Sequence, residues 1–140
     1  MGLEVTPYQE GDVFKVKIRL GDPLGHPVND EGGPAWTLRD GDKILACVGL
    51  KDGNCGIATF WSFISDEARG HGLLMVKKGR EIIRNGFEVH KYFRIQAVVR
   101  ADKEEYSRFI ELFGFEREGL MRKAALNKSD IYLYSIVEKD

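Results

Sequence analysis

The sequence predicts an α+β fold, with one mixed, mostly antiparallel sheet flanked by helices. Three observations carry this expectation. Residues 35–64 hold three strand-like runs separated by Asp40-Gly41 and Asp52-Gly53, which reads as an antiparallel meander with hairpin turns. Two stretches, "LLMVKKGREIIRNG" and "KEEYSRFIELFG", repeat apolar residues at helical spacing. One strand lies between them and two more follow. A meander that feeds a helical crossover cannot stay purely antiparallel, so the sheet must be mixed.

Taken in order, "LEVTP" is a short strand closed by Pro7. "DVFKVKIRL", residues 12–20, alternates Phe14, Val16, Ile18 and Leu20 with Lys15, Lys17 and Arg19, which favours a strand, while Asp12 offers the cap of a short helix. "GDPLGHPVNDEGGP" reads as loop. The meander strands fall near 35–39, 43–50 and 55–64. The third is rich in β-branched and aromatic residues and is expected to be central and buried on both faces. The first helix should bury Leu73, Leu74, Met75, Val76, Ile82 and Ile83, with Gly79 permitting close packing and Asn85-Gly86 stopping it. A strand follows at 92–99. The second helix carries Tyr106, Phe109, Ile110 and Phe113 on its apolar side, with Asp102 as N-cap and Gly114 just past its end. "FEREGLMRK" and "DIYLYSIVE" supply the last two strands, and the exposed edge of the last is a place where a second subunit could pair to form a homodimer.

Length and composition fit one domain over residues 1–140: 43% apolar and 31% charged residues are globular values. A net charge of -1 gives no basic footprint for nucleic acid. No apolar run approaches the roughly 18 residues of a membrane span. The start "MGLEVTPYQEGD" is too polar for a secretory signal, and Val5 and Pro7 around Thr6 read as strand rather than as a myristoylation signal. Cys47 and Cys55 read as reduced thiols of a cytoplasmic protein. His26 and His90 have no carboxylate or cysteine at ligand spacing, so no metal site is expected. Trp36 and Trp61 read as core.

The stretch "ISDEARGHGLL" ends the meander and opens the first helix. Glycines there let helix N-terminal amides approach a phosphate closely. They also suit an ordinary tight turn. Its Arg69 and Gly72 resemble the fixed positions of the pyrophosphate motif Gln/Arg-x-x-Gly-x-Gly/Ala of the GNAT superfamily of acetyl-coenzyme A-dependent N-acetyltransferases, with Leu74 where that motif has Gly or Ala. "VVRADKEEYSRFIELFGFEREG" resembles a second family stretch through Phe109, Glu111 and Gly114-Phe115. Lys103 replaces its Asn, and Ile110 stands where many members place the tyrosine that protonates the departing thiolate. "VTPYQEGDVF" is similar to the family's opening, which favours a helix after Asp12. The size and the ending also look similar to small acetyltransferase-like proteins of tailed bacteriophages, which would place the chain in a host cytoplasm.

The resemblance implies a GNAT-like sheet with a splayed central strand pair, and acetyl-coenzyme A as co-substrate. It implies a cofactor-binding set of Phe63, Ile64 and Ser65 along the pantetheine arm, Arg69, Gly70, His71, Gly72, Leu73 and Leu74 at the pyrophosphate, and Ala101, next to Arg100, across the gap. Proton transfer has to be assigned differently. Tyr106, one turn before Ile110, can substitute as acid, as can Tyr132 or Tyr134 on the last strand. Asp66 and Glu67 stand where a base could meet the acceptor amine, and equally suit a helix N-terminus. The acceptor would be an amine of a protein or a small molecule. The competing expectation is a GNAT-like module without turnover that binds a protein partner.

Overall fold

A computed structural model describes residues 3–9, 11–12, 34–53 and 55–139. Its elements are β1 (Leu3–Pro7), β2 (Ala35–Asp40), β3 (Lys43–Asp52), β4 (Ile57–Ile64), a 3₁₀ turn (Asp66–His71), α1 (Gly72–Glu88), β5 (Arg94–Arg100), α2 (Glu104–Leu112), β6 (Glu116–Met121) and β7 (Ile131–Val137). The expected α+β order is present. The strand-or-helix question at 13–20 and the 21–33 part of the loop, with His26, lie outside the described residues.

The strands form one seven-stranded sheet in the order β1-β2-β3-β4-β5-β7-β6. Every neighbouring pair is antiparallel except β4 and β5. Parallel pairing there is a consequence of the α1 crossover. β7 therefore lies inside the sheet, and among the described strands β1 and β6 are outermost. This corrects the expectation of an exposed edge on the last strand: its long apolar run is needed because β5 and β6 flank it on both sides.

Both helices cover the same face. Ile82 and Ile83 of α1 and Ile110 of α2 pack with Val48, Leu50, Ala58, Phe60, Ile95 and Tyr134 in one buried cluster. Gly79 is where the helices meet. A Cβ there would come within 2.2 Å of Phe113, so the close packing expected of Gly79 is a fact of the fold. Arg80 reinforces the contact by donating from Nε and Nη2 to the Leu112 carbonyl at 2.9 and 2.6 Å, closing the C-terminal end of α2. On the opposite face Ile44 and Cys47 pack with Tyr8, Trp61 and Phe63. There the buried Asp12 carboxylate accepts from Gln9 N–H at 3.0 Å and Thr37 Oγ1 at 2.7 Å, tying the chain after β1 to β2.

Four local expectations are corrected. The strand buried on both faces is β3, from Ile44 to Leu50, and not β4, whose burial alternates. α1 runs past Asn85-Gly86 to Glu88, because Gly86 is a packing glycine whose Cβ would meet Leu50 at 2.9 Å and Ile95 at 3.0 Å. Leu73 is 89% exposed, since the buried face of α1 begins at Met75. Asp102 does not cap α2. Lys103 occupies the cap position with no side-chain bond, and Asp102 pairs with Arg100.

Candidate active site at the strand splay

The site begins with a failure of pairing. β4 and β5 are joined only through Ile57–Thr59 and Arg94–Gln96. Beyond Thr59, β4 stays paired with β3 as far as Ile64, and beyond Gln96, β5 stays paired with β7 as far as Arg100. The two strands thus diverge in the middle of the sheet. The facing edges of 60–64 and 97–100 present backbone amides and carbonyls with no strand opposite, an edge that an extended amide-bearing chain can join. The expected splay of the central pair is present.

β4 supplies one wall. Phe63 is half-buried with its ring 6.1 Å from Trp61, on the face away from the helices. Ile64 packs on the helix side with Leu38, Leu45, Ala46, Ala68 and Met75. Ser65 ends the strand. Its backbone N–H donates to Leu45 O at 2.9 Å, while its Oγ is buried with no hydrogen-bond partner. Ser107 Oγ on α2 is likewise buried without a partner among the described residues; such a hydroxyl costs about 1–3 kcal/mol, and that of Ser65 stands at the end of the splayed strand.

The glycine turn lies at the open end. Arg69, Gly70 and His71 belong to the 3₁₀ turn, and Gly72 is the first residue of α1 with φ -56° and ψ -41°. A Cβ at Gly70 or Gly72 would meet no atom of the described residues within 4 Å, and neither glycine has positive φ. Neither packing nor backbone geometry therefore requires glycine here, unlike Gly79 and Gly86 in the same helix. Leu74 is partly buried against the cluster of Leu38, Leu45, Ala46, Ala68 and Met75.

The groups considered for proton transfer separate. Tyr106 is half-buried on the α2 stripe it shares with Phe109 and Phe113. Phe109 packs against both clusters on the helix side of the sheet, and the Arg100 guanidinium lies 5.8 Å from the Tyr106 ring centre. Tyr106 therefore stands beside the splayed end of β5. Tyr134 does not: it is fully buried, and its hydroxyl donates to Glu111 Oε2 at 2.8 Å and accepts from Arg117 Nε at 3.1 Å. Arg117 belongs to the edge strand β6, two strands beyond β5 from the splay. Tyr132 stacks under Arg117, 3.7 Å from its ring centre. Glu67 is exposed and paired with Lys43 at the start of β3, on the other side of β4 from the splay. The Tyr134 hydroxyl and the Glu67 carboxylate are thus each engaged by a partner from another element. Ala101 is half-buried beside the gap, but its N–H donates to Asp130 O at 3.1 Å and is not available to polarise a thioester. Ile110 is core.

A contact that sequence reasoning missed joins Arg100 and Asp102. Nε and Nη2 donate to Oδ1 and Oδ2 at 3.1 and 2.8 Å, and this bidentate bond holds the Asp102 carboxyl below the usual carboxylate range. Its only trace in the sequence is a pair of opposite charges two residues apart at a strand end. A second polar group joins Arg94 to Glu118 at 2.6 Å and to Gln96 at 2.9 Å, with Ser135 also on Glu118. It depresses the Glu118 carboxyl, first through Arg94 and then through Ser135. Among the described residues no three His, Cys, Asp or Glu side chains are grouped as metal ligands, and no helix is long and apolar enough to cross a membrane.

One sheet with this order, a single parallel pair that splays, and a glycine turn opening the crossover helix give the chain the fold of solved acetyltransferase structures. No protein-family model matches the sequence, and no curated protein matches it. Solved structures do. A variant of the spermidine N-acetyltransferase SpeG from Vibrio cholerae is similar with a TM-score of 0.74 and 16% identity, over 97% of this chain and 94% of that one. The ribosomal-protein-S5-alanine acetyltransferase from Vibrio fischeri is similar with a TM-score of 0.66 and 20% identity, over 76% of this chain. That match spans 62% of the Vibrio fischeri enzyme, less than two thirds of its length. A probable acetyltransferase gives a TM-score of 0.65 and 22% identity, over 77% of this chain and 63% of that one.

Proposed function

We propose that the chain is an acetyl-coenzyme A-dependent N-acetyltransferase acting on an amine of a small molecule or a protein. The observation that carries the proposal is the pair Gly70 and Gly72, open to space at the mouth of the splay where neither packing nor backbone geometry needs glycine. What a side chain there would exclude is a ligand. The fit to acetyl-coenzyme A is chemical at each point. Amides at the start of α1, with the positive end of its dipole, suit a pyrophosphate. The edges of 60–64 and 97–100, which face no strand across the splay, suit the amides of an extended pantetheine arm, and the buried Ser65 hydroxyl gains a partner from it. The bound thioester supplies the activated acetyl group.

The chain's own contribution is to hold, orient and move protons. Splay-facing amides of β4 are the donors for the thioester oxygen, now that the Ala101 amide is engaged. Tyr106 is the proton donor, because its ring lies at the splay while the Tyr134 hydroxyl is held elsewhere. The neighbours that act on spermidine and on a ribosomal-protein alanine support an amine as acceptor. A one-domain, cytoplasmic protein, with a homodimer as its assembly, fits this use. Thiol release from acetyl-coenzyme A in the presence of a panel of polyamines, aminoacyl compounds and peptides tests the proposal. Amine-dependent release supports it.

A second reading has one observation in its favour. Ile110 is buried in the core, so the position that carries the family's tyrosine offers no proton. A protein that binds coenzyme A but transfers acetyl to no amine would be a binding module on the same fold.

A further inference from the structure

The corner between β5 and α2 holds a feature that acetyl transfer alone does not explain. Arg100 ends the splayed half of β5 with its side chain 17% exposed. It meets Asp102 through two hydrogen bonds and also lies over the Tyr106 ring. An arginine with this much exposure could satisfy its charge in water. A bidentate clamp on a residue two positions away instead fixes the plane of the guanidinium, and a cation near an aromatic face attracts that ring. The backbone around it is fixed as well: Ala101 N–H donates to Asp130 O at 3.1 Å, and Tyr106 N–H to Lys103 O at 3.1 Å. Asp102, which by sequence should cap α2, is spent on Arg100, and the helix starts without a side-chain cap. That arrangement forgoes the roughly 0.5–2 kcal/mol a cap provides. What it gains is a rigid cation against the phenol.

We infer that Arg100, clamped by Asp102, is a positioning residue that sets the Tyr106 ring at the splay for proton donation. It touches neither the transferred group nor the acceptor and acts through Tyr106. Such a role rests on acetyl transfer at the splay with Tyr106 as donor. It also accounts for the distance between Tyr106 and Ile110: moving the hydroxyl one helical turn toward the N-terminus brings it to the strand end, where Arg100 can hold it.

The test compares Arg100→Gln, Arg100→Lys, Tyr106→Phe and the double variant Arg100→Gln/Tyr106→Phe in the full chain. It reads kcat, KM for acetyl-coenzyme A, and thermal midpoint. Arg100→Gln should lower kcat on the order of tenfold, the scale expected when a proton donor is displaced but not removed. KM should stay within about twofold, since uniform binding is untouched. The double variant should fall no further than Tyr106→Phe alone, because both changes remove one function. Arg100→Lys, which keeps the cation, should recover part of kcat. Losses that multiply in the double variant, or a change confined to KM or to the thermal midpoint, would overturn the positioning role. A parent that turns over while Arg100→Gln matches it removes this role alone. A parent that neither binds nor transfers acetyl removes the acetyltransferase reading and this role together.

Discussion

The same substitution at two glycines of one helix should give opposite results. Gly72→Ala places a Cβ in open space on a residue already at helical φ and ψ. Replacing glycine by alanine in a helix is worth up to about 1 kcal/mol. For a chain of this size that corresponds to a thermal midpoint higher by roughly 2–4 °C. Gly79→Ala puts the same methyl 2.2 Å from Phe113 Cε1 and 2.6 Å from Cδ1. Phe113 cannot swing aside, because it is 4% exposed and its ring is packed 5.1 Å from Phe109 and 5.0 Å from Phe60. Overpacking of this kind costs about 1–3 kcal/mol, which exceeds the helical gain. Binding should invert the ranking. Gly72→Ala fills the approach to the α1 amides and should weaken acetyl-coenzyme A by at least about tenfold, or 1.4 kcal/mol. Gly79→Ala should bind nearly as the parent does wherever it is folded. Urea unfolding and calorimetric titration of the two variants decide the matter. Parent-like affinity in Gly72→Ala would refute the pyrophosphate site, and a loss of stability there would refute the claim that the fold does not need this glycine.

Three further predictions follow from particular side chains. Tyr106→Phe should lower kcat at least tenfold, the smaller end of general-acid effects, whereas Tyr134→Phe should leave kcat alone and cost about 1 kcal/mol, one buried hydrogen bond; equal kcat losses would return Tyr134 to the mechanism. The Glu118 carboxyl is held below its ordinary value by Arg94 and Ser135, so its contribution to stability is present above the unfolded-state pKa of about 4.3 and is lost as pH falls through the lower folded value. The difference in urea midpoint between the parent and Glu118→Gln should therefore be visible at pH 7 and shrink as the pH falls below about 4.3, and a difference that does not change with pH would contradict the pairing. Asp12→Ala strips the buried Thr37 hydroxyl and the Gln9 amide of their acceptor, and should destabilise by about 2–3 kcal/mol without abolishing coenzyme A binding.

Local chemistry made much of the fold legible. Asp40-Gly41 marked a turn because Gly41 takes a φ of +60°, and Gly114 ended α2 at +101°. Gly79 was readable as a packing glycine because its helix needed no break there. What the sequence hid was long-range. Gly86 looked like a stop signal, and only its contacts with Leu50 and Ile95 explain why α1 passes through it. β-Branched and aromatic content could not distinguish a strand buried on both faces from one that borders a gap, so the burial on both faces expected of β4 belongs to β3. At the site, the glycine turn and the direction of the splay followed from local pattern and family likeness. The fates of Glu67 and Tyr134 depended on Lys43 and Arg117, residues 24 and 17 positions away. No spacing rule reaches such partners.

The central claim is that the gap between β4 and β5 receives acetyl-coenzyme A. A crystal structure with coenzyme A bound tests it most directly. The account predicts the pantetheine arm between Phe60–Ile64 and Ala97–Arg100, a contact to Ser65 Oγ, and the pyrophosphate against Gly70 and Gly72. Coenzyme A bound elsewhere, for example at the apolar depression between Trp36, Leu74 and Lys78, or no binding at millimolar concentration, would contradict it.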